Sequence, residues 1–244
     1  MLATPTTTTV GSWAERSLRA VLILERYGID QHKEEALPLE EACRAHNANP
    51  EQVAAELEAA TAERRPAAGD WEQMPLDELT SHIVRRHHEY MKLELPRLRK
   101  KLDFMTARHG ERDNSLLNRL HEVFLEIQGD IEQHLMKEEM VLFPAIEAMA
   151  RAERANAGRP AFHCGSVQGP IFVMEHEHRM VIDALENMRR ITNNYTPPDY
   201  ACPNFRGVWH TLQEMDADLV EHIRLEDGFL HPRAKQLEAG LAAN

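Results

Sequence analysis

The sequence predicts an all-α protein: a four-helix bundle behind a small N-terminal helical domain. Three observations carry this prediction. After Pro75, four long segments repeat apolar residues at steps of three and four, the period of one helix face. Glycine, proline and asparagine clusters separate those segments. Only 6% of residues are aromatic, whereas Ala, Leu, Glu and Arg are abundant, a bias that favours helix over sheet.

The elements follow in order. Residues 1–10 are Thr-rich and are expected to be disordered. Short helices are expected over 12–28, 39–46 and 49–65, with a linker at Pro66–Asp70. The domain boundary therefore falls between 1–68 and 69–244. The bundle helices are expected over 76–104, 115–154, 169–192 and 203–236. The breaks between them are Arg108-His109-Gly110, the glycine-rich stretch from 155 to 169, and Asn193 to Pro198.

Gross composition narrows the function. With 43% hydrophobic and 28% charged residues the chain reads as soluble and globular, and its 244 residues suffice for one sizeable core plus a small domain. A formal charge of −12 argues against nucleic acid and against an anionic membrane surface. No apolar run approaches ~20 residues, and the N-terminus lacks the basic and apolar regions of a signal peptide. Cys43, Cys164 and Cys202 form no close pair, which fits a cytoplasmic protein without a disulfide framework.

Titratable residues interrupt all four apolar stripes. The first runs Val84, His88, Met91, Leu95, Leu98, Leu102; the second Phe124, Ile127, Ile131, His134, Glu138, Val141, Ala145. The third runs Ile171, Met174, His178, Val181, Leu185, Met188; the fourth Val208, Leu212, Met215, Leu219, His222, Glu226, Phe229. Buried carboxylates are costly unless paired or bound to metal. Four histidines and two glutamates on core faces need a common partner, and a metal cluster supplies one.

Spacing supports that reading. His134–Glu138 and His222–Glu226 are both His-x3-Glu, which puts both side chains on one helix face. Each motif has a proline ten residues after its histidine, and a lone stripe histidine lies 46 or 44 residues upstream. The bundle thus reads as a duplicated helical hairpin, each half giving His, His and Glu, and two halves suggest two metals with bridging carboxylates. No cysteine lies in a stripe, so iron, manganese or zinc suit the donor set. Outside the set, His87 is expected at the surface or directly behind the ligands, Glu177 as a solvated charge rather than a proton relay, His121 and His210 as structural residues, and the stripe methionines as core filler.

Five stretches resemble the hemerythrin-like domain of the repair-of-iron-centres proteins. They are His82 to His88 leading to Leu95-Pro96; His134-Leu-Met-Lys-Glu-Glu-Met-Val-Leu-Phe-Pro144; Gly169 to His178; Thr192-Asn-Asn-Tyr-Thr-Pro-Pro198; and His222-Ile-Arg-Leu-Glu226. The resemblance spans about residues 70–235. It implies a non-haem di-iron centre on His88, His134, Glu138, His178, His222 and Glu226, with the glutamates bridging and an oxo or hydroxo bridge between the irons. Arg26-Tyr-Gly-Ile-Asp30 resembles that family's small domain, but Gln31-His32 stand where the family has a cysteine pair, so no thiol chemistry carries over. His231 stands where the family tends to have Phe. The residue four after His178 is Ile182, so the second histidine of an oxygen-carrying hemerythrin is absent.

The function implied is that of a cytoplasmic protein of the nitrosative and oxidative stress response. It would bind nitric oxide or dioxygen species at the di-iron site, or supply iron to damaged iron–sulfur proteins. Two alternatives stand beside it: a sensor or binding module for oxygen or nitric oxide, and an enzyme such as a nitric oxide reductase or peroxidase. A bundle without metal is the remaining alternative.

Overall fold

The computed structural model describes residues 5–14, 18–31, 33–61, 71–163 and 165–242. The expected linker at 66–70, His32 and Cys164 lie outside the described residues. Two compact units divide at Met1–Ala67 and Ala68–Asn244.

The first unit holds α1 (Val10–Ala14), α2 (Leu18–Arg26), α3 (Leu39–Ala45) and α4 (Pro50–Thr61). Trp13, Leu24, Ile29, Leu39, Cys43, Val53 and Leu57 form its core. The expectation of disorder over the first ten residues does not hold for Pro5 onwards. Pro5–Thr7 makes a tight turn, and the Trp13 indole donates to the Pro5 carbonyl at 3.1 Å. The amides of Val10 and Leu39 donate to the carbonyls of Leu37 and Thr8, both at 2.9 Å, so the two segments pin each other. Threonine content alone does not report such long-range pairing.

The second unit is all helical among the described residues. It runs through α5 (Leu76–Ile83), α6 (Glu89–Lys137), α7 (Phe143–Arg154), α8 (Gln168–Ile191), α9 (Pro203–Leu225) and α10 (His231–Ala242). α6 doubles back within its length. A straight helix would hold Asp103 and His121 about 27 Å apart, yet His121 Nε2 lies 2.7 Å from Asp103 Oδ1. The reversal therefore falls in the interval where the sequence places a break, and α6 supplies two antiparallel limbs. With α8 and α9 these limbs make the four-helix arrangement.

The turn from α8 to α9 takes three successive residues into the left-handed region: Asn193 (φ 48°), Asn194 (φ 54°) and Tyr195 (φ 56°). Asparagine tolerates this conformation and tyrosine does not. Tyr195 is held there by two bonds. Its amide donates to Thr192 Oγ1 at 3.1 Å, and its hydroxyl donates to Asp216, which also pairs with Arg189.

Three wide, five-residue π turns interrupt the helices, at Val84–His88, Glu138–Leu142 and Glu226–Leu230. The second and third each begin on a stripe glutamate six residues before a proline, Pro144 or Pro232. Proline offers no N–H and crowds the carbonyl four residues back, so the helix opens by one residue there. The extra residue corrects the expected stripe. Val141 is 42% exposed and Leu142 is 1% exposed; in the fourth stripe Leu230 is buried instead of Phe229. The third stripe, in an uninterrupted helix, is buried as expected from Ile171 to Met188.

Candidate metal centre

The six stripe residues meet in the bundle interior, and all six are buried. Their pairing differs from the one expected. Each hairpin does not assemble its own His-His-Glu set; instead each set draws one histidine from each half. His88 Nε2 lies 3.3 Å from His222 Nε2, and His134 Nε2 lies 3.0 Å from His178 Nε2. The reason is topological. His88, at the end of the π turn before α6, faces His222 on α9, whereas His134 on α6 faces His178 on α8.

The carboxylates span both pairs. Glu138 Oε2 lies 3.4 Å from His88 Nε2 and 3.9 Å from His222 Nε2, while its Oε1 lies 3.3 Å from His134 Nε2. Glu226 Oε1 lies 2.9 Å from His222 Nε2, while its Oε2 lies 3.1 Å from His178 Nε2. Two groups of four follow: His88, Glu138, His222, Glu226, and His134, Glu138, His178, Glu226.

Electrostatics keeps the carboxylates ionised. Burial alone would raise both pKa values, but the surrounding imidazoles override it. The His134 and His88 rings hold Glu138 below the usual carboxylate range, and His222 and His178 hold Glu226 well below it. Burial pushes His222 down, towards the neutral imidazole that binds metals. Both oxygens of Glu138 and one of Glu226 are buried without a hydrogen-bond partner. Such orphaned anionic oxygens, facing inward imidazole nitrogens, fit a bound cation. Four imidazoles and two carboxylates without a thiolate are donors for a transition metal such as iron.

Three of the four histidines are oriented from behind. His88 Nδ1–H donates to Glu139 Oε1 at 2.8 Å, and the Lys92 ammonium holds the same carboxylate at 2.6 and 2.7 Å. His134 Nδ1–H donates to Glu177 Oε2 at 2.9 Å, and Lys137 pairs with that carboxylate. His178 Nδ1–H donates to Asp227 Oδ1 at 2.8 Å. These bonds fix the tautomer that leaves Nε2 free to point inward. His222 is held otherwise: its ring stacks on His87 at 5.5 Å and 8°, and His87 Nδ1 lies 3.1 Å from Asp218 Oδ2.

Of the two places expected for His87, the structure gives the one behind the ligands: it lies buried in the π turn over Val84–His88, stacked on His222. One expectation is corrected. Glu177 is not a solvated charge, because the His134 N–H and Lys137 hold it. The sequence carried one usable signal for all these partners: Glu139, Glu177, Asp227 and His87 each adjoin a stripe residue. His121 is half-buried against Asp103, and His210 is exposed beside Glu214.

The family described as Hemerythrin HHE cation binding domain matches residues 79–234. The iron-sulfur cluster repair protein YtfE of Edwardsiella ictaluri is 33% identical over 222 residues, covering 88% of this chain and 91% of that protein. Proteins of the same name from Dickeya chrysanthemi and Yersinia pseudotuberculosis are 36% and 35% identical over 165 residues, 68% of each chain. With the helical bundle and its buried His and Glu groups, these likenesses show that the chain belongs to the repair-of-iron-centres family of hemerythrin-like proteins.

Proposed function

We propose that His88, His134, His178 and His222 hold two iron ions, bridged by Glu138 and Glu226, and that the protein serves the repair of damaged iron–sulfur clusters. The observation that carries the dinuclear reading is the division of each carboxylate: one oxygen faces one histidine pair and the other oxygen faces the second pair. A single ion would leave one pair of imidazoles, 3.3 or 3.0 Å apart, facing each other without a shared cation. The choice of iron and of cluster repair is supported by the family and by the printed name of the relatives.

The chain's own residues perform three tasks in this reading. The buried carboxylates supply the negative charge that retains the cations. Glu139, Glu177 and Asp227 hold three imidazoles in the ligating tautomer. Phe143, stacked on His88 at 5.4 Å, and the apolar cluster around Leu142, Leu225 and Leu230 keep bulk water away. Bound iron would supply redox chemistry and open positions for nitric oxide or dioxygen species, in the stress setting the family resemblance implies. The protein would then donate iron to damaged iron–sulfur proteins in the cytoplasm. No helix among the described residues is long and apolar enough to cross a membrane, and the described cysteines, Cys43 and Cys202, are free.

Metal analysis and Mössbauer spectra of the full chain test this proposal. About two irons per chain are expected, with strong loss in the double variant Glu138→Ala, Glu226→Ala. Full iron loading in that variant would refute the assignment. The repair reading predicts that the iron-loaded protein, and not the metal-free protein, restores activity to an enzyme whose cluster was damaged by nitric oxide.

A further inference from the structure

We propose that the two ion positions are unequal: the His134–His178 pair is the tighter site, and the His88–His222 pair is the weaker one, which surrenders its iron first. This inference rests on the dinuclear reading above. The difference lies behind the ligands. His134 Nδ1–H donates to Glu177 at 2.9 Å and His178 Nδ1–H donates to Asp227 at 2.8 Å, so both imidazoles of that pair have an anion at their backs. In the other pair only His88 has one, Glu139 at 2.8 Å. His222 Nδ1 is buried without a hydrogen-bond partner. An anionic acceptor draws on the Nδ1 proton and makes Nε2 a stronger donor to a cation. The quality of the acceptors points the same way. Lys92 holds Glu139 and Lys137 holds Glu177, so each of these carboxylates shares its charge with an ammonium. Asp227 pairs with His178 and, at 3.2 Å, with His231 Nδ1, and with no Lys or Arg among the described residues. His178 therefore has the most strongly polarising partner of the four.

The duplicated halves show why the fourth acceptor is missing. Glu177 directly precedes His178 and reaches across to His134. The residue that directly precedes His88 is His87, and it reaches across to His222 in the same way. Its ring, however, stacks on the His222 ring at 5.5 Å with the planes 8° apart. The N–H groups and lone pairs of imidazole lie in the ring plane, so stacked parallel rings cannot bond to each other through them. His87 Nδ1 lies instead 3.1 Å from Asp218 Oδ2. The exchange of a carboxylate for an imidazole at this one position thus takes the acceptor from His222. Loss of such a partner costs about 10–100-fold in metal affinity, and the two sites are expected to differ by that factor. Glu138 and Glu226 belong to both groups. The weaker site can therefore give up its ion while the tighter one keeps both bridging carboxylates beside a cation.

The test uses the full-length protein, loaded with Fe²⁺ without oxygen and titrated with a ferrous chelator, with the retained iron measured at each step. The wild type is expected to lose its iron in two steps whose affinities differ about 10–100-fold. Two variants should move that gap in opposite directions. Asp227→Ala leaves one outer carboxylate on each pair, so the tight step weakens and the gap closes. Glu139→Ala leaves two on one pair and none on the other, so the loose step weakens and the gap widens. General loosening of the bundle would shift both steps together and cannot imitate this pattern. A single step in a wild type that holds two irons, or variants that shift both steps alike, would overturn the inequality. A gap that widens in Asp227→Ala and closes in Glu139→Ala would overturn the assignment of the tight site. One iron per chain would refute the dinuclear proposal, and the same variants would still decide this one: the ion should be lost in Asp227→Ala and kept in Glu139→Ala. A chain that holds no iron would refute both.

Discussion

Glu139→Ala isolates what an orienting carboxylate contributes to the proposed metal centre. His88 is fully buried, and its Nδ1–H has a 2.8 Å bond to Glu139. Removing the acceptor leaves a buried N–H unpaired and frees the ring to change tautomer or rotate. Bonds to charged groups are worth about 1.5–3 kcal/mol, and loss of such a partner behind a metal ligand costs about 10–100-fold in affinity, or roughly 1.4–2.7 kcal/mol. The two ranges agree. Lys92 loses its partner as well, but its side chain is 51% exposed, so water replaces the carboxylate at little cost. The assay is anaerobic competition for Fe²⁺ between the full chain and a chelator, with circular dichroism to show that the fold is intact. Ferrous affinity is expected to fall about 10–100-fold in Glu139→Ala. Glu139→Gln, which keeps an acceptor oxygen, should fall between that variant and the wild type. An unchanged affinity in a folded Glu139→Ala variant would show that the apolar packing on His88, and not this bond, orients the ring.

Two further predictions concern the fold. The π turn after Glu138 exchanges the burial of neighbours, so Leu142→Ala should cost about 2–5 kcal/mol in chemical denaturation and Val141→Ala should stay within about 0.5 kcal/mol; the opposite order would mean an unbroken α-helical register. Burial, opposed by Lys101 and reinforced by Glu214, pushes Glu94 from an ordinary 4.5 up to about 7. Between those values the folded state holds a proton that the unfolded chain has released, so this group's contribution is lost as pH rises through about 4.5–7. Glu94→Gln should therefore gain up to about 3 kcal/mol over the wild type between pH 4.5 and pH 8, and a pH-independent difference in denaturant midpoints would contradict the raised value.

The amino-acid sequence by itself determined the helices and the six His and Glu residues that meet, buried, in the bundle interior. Both follow from local rules. A 3.6-residue period reveals which face of a helix is buried, and a carboxylate on such a face announces that it needs a partner. His134–Glu138 and His222–Glu226 are one helical turn apart, so their shared direction required no knowledge of the rest of the chain. Only the tertiary structure decided which histidine meets which. His88 joins His222, and His134 joins His178, because pairing depends on which helices become neighbours, and periodicity within one helix carries no such information. The register beyond each glutamate was likewise hidden, since an extended stripe assumes an unbroken α-helix while Pro144 and Pro232 open it by one residue. Glu177 looked like a solvated charge, and His87 could be placed at the surface or behind the ligands, for a related reason. Their partners, Lys137 and His134 for one and His222 and Asp218 for the other, arrive from elsewhere in the sequence, and a side chain's surroundings are set by the elements that pack around it.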